Sequence, residues 1–240
     1  MACGSIILFR FHDHPKICTQ RINHLKNLNP DIEIYGLGEN IDSLNKLFDA
    51  GLEHNYVISN KSSRWKWKNG DLALRKWYNN IGREIEFDRL YLVEWDMVYT
   101  APMEEVYRNI PRNGIGIPGL EPVQSTDRTW VNGRYEEINY LRQTATSRFS
   151  QTIDELKVGL FPGVVVPNGF LEAYCSAEIP EVGNDEIRFS VFGQASEYDV
   201  YDPMIADDEQ IFNTVNNTIT PEQIHEEEHR NVFHPVRLLM

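Results

Sequence analysis

Cysteine is scarce in this chain: Cys3, Cys18 and Cys175 are all that 240 residues contain. The number is odd, the positions are scattered and no CxxC pair occurs, so neither a disulfide framework nor a cysteine zinc site is expected. Long apolar runs are also missing. Nothing approaches the ~18 residues of a membrane-crossing helix. The apolar segment Ile6–Phe9 follows Met1-Ala2-Cys3-Gly4-Ser5 directly, too short and without basic residues ahead of it to be a secretory leader. A cytoplasmic protein with no transmembrane segment is therefore expected, and the Asn60-Lys61-Ser62 and Asn216-Asn217-Thr218 glycosylation sequons are chance matches. Positive charge is short: 23 Lys and Arg stand against 36 Asp and Glu, a formal net charge of −13. That balance argues against a nucleic-acid surface, which needs a basic stripe to neutralise phosphates, and against a polybasic membrane surface. An acidic chain that binds a phosphorylated ligand needs local help from a cation or from a few placed Arg and Lys. No glycine-rich P-loop followed by Lys and Ser or Thr is present either.

What is present suits one sizeable core. With 41% hydrophobic residues and no evident linker, residues 1–240 read as a single α/β domain, with 1–110 as one half and 111–240 as the other. The first half alternates strand-like and helix-like segments. Ile6 to Phe11 is a short apolar run typical of a buried strand, and residues 19–28 carry Ile22, Leu25 and Leu28 at helical spacing. Further strands are expected over 31–37 and 56–58, with a short helix marked by Leu44, Leu47 and Phe48 between them. Leu74, Trp77, Tyr78 and Ile81 form one apolar helical face, opened by Asn69-Gly70-Asp71. Leu90 to Val93 is apolar throughout, as in a strand covered on both faces, and it stops at Glu94-Trp95-Asp96. This alternation predicts a mostly parallel sheet whose ligands bind at the carboxyl ends of the strands.

The second half is less regular. A strand is expected near 115–117, then a long polar and aromatic excursion over 119–152 with a helix around 134–146. A buried strand at Val164–Val166 leads into a helix to about Ala177, and Asn184-Asp185 opens another. The last helix has Thr220 as its cap, Pro221 in its first turn and Gln223 closing a capping box.

Glu94 and Asp96 are the acids to test first. In a regular strand, residues i and i+2 share a face, so both carboxylates can address one pocket while Trp95 turns away. Two carboxylates so placed can hold a hard divalent cation bridging a diphosphate. Two other motifs are discounted. His225-Glu226-Glu227-Glu228-His229 has the HExxH spacing of zinc proteases, but its segment is almost entirely charged and reads as a solvated helix. Gly114-Ile115-Gly116-Ile117-Pro118-Gly119 has GxGxxG spacing, but Pro118 and the following Gly119-Leu120-Glu121-Pro122 cannot open the helix that a dinucleotide motif requires. Trp65 and Trp67 flank basic residues in Ser63-Arg64-Trp65-Lys66-Trp67-Lys68, a local basic patch suited to a phosphate or acceptor contact, with a surface loop as the default.

The run from Lys68-Asn69-Gly70-Asp71 through a helix to Leu90-Tyr91-Leu92-Val93-Glu94-Trp95-Asp96 resembles the GT-A glycosyltransferases, in which a strand ends in an acid-x-acid motif. The resemblance implies a GT-A (Rossmann-like) mixed, mainly parallel sheet flanked by helices. It implies transfer of a sugar from a nucleoside-diphosphate sugar donor to an acceptor hydroxyl on a glycan or small molecule, with Mn²⁺ or Mg²⁺ as cofactor. Carried onto this chain, Asp96 matches the metal ligand and Glu94 its helper, with Trp95 between them counted among the donor-binding residues, and the sequence departs from the common form by having Glu first. Gly183-Asn184-Asp185-Glu186 resembles the element bearing a catalytic carboxylate, in reversed order, with Asp185 preferred over Glu186 as the base. The reading of Asp185 or Asn184 as a plain helix cap stays open beside it. His234, in Val232-Phe233-His234-Pro235, resembles the C-terminal histidine that ligates the metal in many members. Phe9, Arg10 and Phe11, at the first strand end, are candidates for the base and ribose, and Arg75 for the diphosphate. The alternatives are cores for Phe9 and Phe11 and an i,i+4 pair with Asp71 for Arg75. A sugar nucleotidyltransferase ranks lower, because His12-Asp13-His14-Pro15-Lys16 lacks the glycines of its phosphate loop. A non-catalytic nucleotide- or carbohydrate-binding protein on a degenerate GT-A fold is the third reading.

Overall fold

The computed structural model describes residues 4–11, 14–38, 47, 51–208, 210–213, 218–227 and 229–240. Its centre is a seven-stranded sheet built from β1 (Ser5–Phe11), β2 (Glu33–Gly38), β3 (Asn55–Val57), β4 (Arg89–Glu94), β6 (Ile115–Gly116), β9 (Val165–Pro167) and β10 (Val200–Tyr201), in the spatial order β10-β6-β9-β4-β1-β2-β3. The pairs β1–β2, β1–β4, β2–β3 and β6–β10 are parallel, while β9 runs antiparallel to both β4 and β6. The sheet is thus mixed and mainly parallel, and strands from both halves of the chain contribute to it. Two small ribbons lie outside it: β5 (Val98–Tyr99) pairs with β11 (Val232–Phe233), and β7 (Glu121–Pro122) with β8 (Lys157–Val158).

Helices cover both faces. On β1, Ile6 and Leu8 point into one core while Ile7, Phe9 and Phe11 point into the other, the two-residue period of a strand buried on both sides. The first core packs against α3 (Gly70–Asn80), α5 (Tyr135–Phe149), α6 (Asn168–Ser176) and α7 (Asp185–Ala195). The second packs against α1 (Pro15–Leu28) and α4 (Met103–Val106). The face expected on α3 is the buried one, through Leu74, Trp77 and Tyr78. The terminal helix α8 (Pro221–Glu226) carries the expected capping box of Thr220 and Gln223.

Several elements differ from expectation. Helix α1 starts at Pro15, earlier than residue 19, after His14 in the left-handed region with no side-chain cap to announce it. The basic-aromatic segment is not a loop but a helix, α2 (Ser63–Lys68), capped by Ser62, whose hydroxyl accepts from Trp65 N at 3.2 Å. Of the helix expected around Leu44, Leu47 and Phe48, Leu44 and Phe48 lie outside the described residues, as do His12, Asp13, Asn216, Asn217 and Glu228. Helix α8 ends at Glu226, so His225 and His229 do not share a helical face and the HExxH spacing has no zinc-site geometry.

One buried ion pair ties the helical layer together. Arg188 of α7 forks onto Asp71 of α3, Nε to Oδ2 at 2.8 Å and Nη2 to Oδ1 at 2.6 Å, and both side chains are wholly buried. Tyr174 of α6 donates its hydroxyl to the same carboxylate at 2.6 Å. The remaining guanidinium hydrogens go to the Val182 and Gly183 carbonyls and to Asn69 Oδ1. Such a pair repays its desolvation only when its hydrogen bonds are satisfied, as here. Removing one partner strands the other charge. Arg188→Leu is expected to lower the unfolding free energy by about 3–5 kcal/mol, and Asp71→Leu/Arg188→Leu together to restore much of that loss. Urea unfolding of both variants checks this; equal losses in the two would remove the pair from this role.

Candidate functional site

Parallel register sets Arg10 beside Glu94 at the carboxyl edge of β1 and β4. Arg10 Nη1 donates to Glu94 Oε1 at 2.6 Å, and its Nη2 donates to the Lys66 carbonyl at the end of α2 at 2.5 Å. Past Glu94 the chain leaves the strand. Trp95 N still donates to Arg10 O, then Met97 N turns back to Glu94 O at 3.0 Å. The i,i+2 arrangement of a regular strand therefore does not extend to Asp96. Glu94 faces Arg10, Trp95 is buried with its ring stacked on His14 at 4.9 Å, and Asp96 meets the C-terminal segment.

That segment is fixed by backbone bonds. The β5–β11 pairing brings residues 232–233 alongside 98–99. His234 N donates to Ile211 O, Asn213 N to His234 O, and Val236 N to Asp96 O at 2.7 Å. His234 Nε2 consequently lies 3.5 Å from Asp96 Oδ1, with both residues buried. Its Nδ1 lies 2.6 Å from the Asn213 carbonyl, which can only accept, so Nδ1 carries a proton and donates. Without a metal, a proton on Nε2 faces the carboxylate; a cation bound there would take the ring in its neutral form, with the Nδ1 bond to the Asn213 carbonyl fixing its orientation. Asp96 Oδ1 is buried and has no hydrogen-bond partner. Arg237 Nε sits 3.4 Å from the other oxygen. Burial alone would raise the Asp96 carboxyl, but His234 and Arg237 reverse that and hold it below its ordinary value. Burial alone would lower His234, and Asp96 reverses that in turn. Arg21 of α1, also buried, is brought down to about 10 by burial against the opposing pull of Asp96.

A buried carboxylate oxygen that makes no hydrogen bond and an oriented imidazole 3.5 Å away fit a divalent cation, which would take the place of the proton between them. Among the described residues, no group of three or more His, Cys, Asp or Glu converges as a metal site. A cation at this pair would take its other ligands from water and from an anionic ligand, as Mg²⁺ commonly does with phosphates.

A second pair of acids lies at the start of α7. Asn184 is the cap, accepting from Ile187 N at 3.1 Å. Asp185 accepts from Gly70 N at 2.9 Å and Glu186 N at 3.1 Å, which occupies both its oxygens. Glu186 is half-buried, with Oε2 accepting from Asn184 Nδ2 at 2.8 Å. Burial first, then the Asp71 charge, pushes Asp185 up to about 6 against the lowering effects of Arg10 and the Gly70 amide. Burial and the neighbouring Asp185 push Glu186 up as well, opposed by Arg128. Arg10 and Glu94 act on Asp185, and Glu94 acts on Glu186 and His234 too, so Glu94 sits between the two acid groups.

Other candidates sit elsewhere. Phe9, Phe11 and Trp95 are buried in the second core and offer no surface to a nucleotide, which corrects the donor-binding role considered for them. Arg75 spends its fork on the carbonyls of Cys175 and Ala177 at the end of α6, so neither a diphosphate contact nor a pair with Asp71 holds. Asp71 is not a solvated first-turn acid but the partner of Arg188. Sequence reasoning missed Arg188, Arg237, Arg21 and Arg128. Only Arg237 carried a signal, as a cation three residues beyond His234 in an acidic chain.

The architecture is that of an α/β protein with acids gathered at the carboxyl edge of its parallel strands. No protein-family model matches the chain, and no curated protein does. Among solved structures, it is similar to the galactosyltransferase LgtC in complex with donor and acceptor sugar analogs, at 10% identity and a TM-score of 0.46, over 81% of this chain and 72% of that one. It is similar also to an active-site mutant of LgtC, at 12% identity and a TM-score of 0.43, over 91% and 81% of the two chains.

The raised Asp185 value has a consequence for stability. Its folded value exceeds its unfolded one, so the folded state takes up this proton first. The associated stability is present below about pH 4 and is lost as pH rises through about 6. The stability difference between wild type and Asp185→Asn should therefore shift in favour of wild type as pH falls from about 7 to about 5. Parallel denaturant titrations measure it, and a pH-independent difference would contradict the assignment.

Proposed function

We propose that this protein is a metal-dependent glycosyltransferase of GT-A type, which moves a sugar from a nucleoside-diphosphate sugar to an acceptor hydroxyl. The observation that carries the reading is the Asp96–His234 pair: an unpartnered buried carboxylate oxygen facing an oriented imidazole at the carboxyl edge of β4. Asp96 and His234 are the residues that would hold Mn²⁺ or Mg²⁺. Bound there, the ion supplies positive charge to the diphosphate as the sugar–phosphate bond breaks.

The chain's own groups do the rest. Arg237, partly exposed beside Asp96, is placed to grip phosphate oxygens with its planar fork in an otherwise acidic protein. Arg10 neutralises Glu94 and holds the end of α2 against the site through the Lys66 carbonyl. Asp185, with both oxygens tied to backbone amides, positions the Gly70 turn and the start of α7. Glu186 is the more open of the two acids and, in place of Asp185, whose two oxygens are both engaged, is the carboxylate that would accept the proton of an acceptor hydroxyl. Trp95 supports the Asp96 turn from within the core.

Calorimetry with UDP and GDP, with and without Mn²⁺, tests the reading. Wild type is expected to bind one of the two nucleotides more tightly when Mn²⁺ is present. Asp96→Ala and His234→Ala should each lose at least about tenfold of that metal-dependent affinity. Nucleotide binding that ignores Mn²⁺, or is unchanged in Asp96→Ala, would contradict it.

A further inference from the structure

Helix α2 carries the most exposed large hydrophobic side chain among the described residues, Trp67, at 74%. Arg64 lies three residues before it and Lys68 one after, and both are exposed. On a helix, 100° per residue places these three within one sector of about 100°, away from the buried Lys66. The result is an indole flanked by two cations on one solvent-facing surface. Residues 61–68 contain Lys61, Arg64, Lys66 and Lys68 and no acid, in a chain of net charge −13.

This surface is held firmly and is joined to the candidate site. Ser62 caps the helix. The Trp65 indole donates to Glu181 Oε1 at 2.5 Å and has Lys61 Nζ over its ring at 4.6 Å, so Trp65 is already occupied. The Lys66 carbonyl accepts from Arg10, Asn69 Oδ1 accepts from Arg188, and Gly70 N donates to Asp185. Trp67 thus sits about one helical turn from the residue that binds Asp185, on backbone anchored on both sides. A rigid aromatic side chain on an anchored element presents a flat apolar face with little ordering entropy left to lose.

We propose that the Arg64–Trp67–Lys68 face of α2 is a binding subsite for a phosphorylated saccharide, with one pyranose ring stacked on the Trp67 indole and a phosphate monoester held by Arg64 and Lys68. The apolar C–H face of a sugar ring matches an exposed indole, and two cations match a dianionic phosphate. A membrane surface fits less well, because a six-residue helix with one exposed apolar side chain lacks the broad apolar face of an interfacial helix. Assigning this ligand to the acceptor side rests on the glycosyltransferase reading; the binding itself does not.

Ligand-observed NMR and calorimetry with glucose 6-phosphate, glucose and inorganic phosphate test the subsite. Wild type should bind glucose 6-phosphate more tightly than either fragment, with saturation transfer strongest on ring protons. Trp67→Ala should weaken that binding at least about fivefold and Trp67→Phe much less. Arg64→Ala/Lys68→Ala should reduce glucose 6-phosphate to the affinity of glucose. All three variants should keep wild-type Mn²⁺–nucleotide binding, which also reports that they fold. No glucose 6-phosphate binding to wild type, or binding unchanged in Trp67→Ala, overturns the proposal. Trp67-dependent binding to phosphatidylserine vesicles without saccharide binding also overturns it, in favour of a membrane contact. Loss of Mn²⁺–nucleotide binding in every protein, with glucose 6-phosphate binding intact, would remove the glycosyltransferase reading and leave the subsite standing.

Discussion

The Asp71–Arg188 fork is the constraint from which the site takes its shape. Two opposite charges lie beyond the reach of water, and a mis-set geometry there would leave one of them uncompensated. The fork fixes α3 against α7, and Tyr174 adds α6 to the same carboxylate. Because Arg188 also binds Asn69 Oδ1 and the Val182 and Gly183 carbonyls, it sets the turns that precede both helices. Gly70 N then meets Asp185, and a larger residue at Gly70 would displace its neighbours: an added Cβ would come within 2.5 Å of Arg10 Nη1 and 2.7 Å of Asp185 Oδ2. Through Gly70 the helical layer reaches Arg10, and through Arg10 it reaches Glu94 at the end of β4.

Asp96 belongs to a separate construction. Its partners arrive from the far end of the sequence, carried by the β5–β11 ribbon and by the bridge between Phe212 and His234. Arg21 of α1 clasps the Val236 and Leu238 carbonyls, so the positive groups around Asp96 come from two segments, α1 and the C-terminal stretch that carries His234 and Arg237. An acidic chain thereby concentrates positive charge at one carboxylate. The two constructions meet at Glu94, whose charge is felt by His234 on one side and by Asp185 and Glu186 on the other.

Much of the fold is legible in the sequence wherever burial is periodic. β1 and β4 show as continuous apolar runs because both faces of the sheet are covered, and α3 shows through Leu74, Trp77 and Tyr78. The cap of α8 shows because its chemistry is local. β10 and β11 do not show, since strands of two residues owe their existence to the partner they pair with. Helix α2 escapes notice because its buried side is made by Lys66 and Trp65 rather than by aliphatic residues. At the site, the proximity of Asp96 and His234 is visible only through family resemblance, because no local rule joins residues so far apart. Asp71 looks like a dipole-favoured first-turn acid, and only the packing of α7 turns it into half of a buried pair. Phe9 and Phe11 occupy the right strand end, but the alternation of β1 sends them into the core and leaves Arg10 facing Glu94.

The central claim is that Asp96 and His234 together hold a divalent cation along with a nucleoside diphosphate. Pulsed electron paramagnetic resonance of Mn²⁺ added to the protein with UDP or GDP tests it most directly. The account predicts nitrogen modulation from one coordinated imidazole, lost in His234→Gln and, with the ion itself, in Asp96→Ala. A Mn²⁺ spectrum showing only water and phosphate ligands, identical in wild type and His234→Gln, would contradict it.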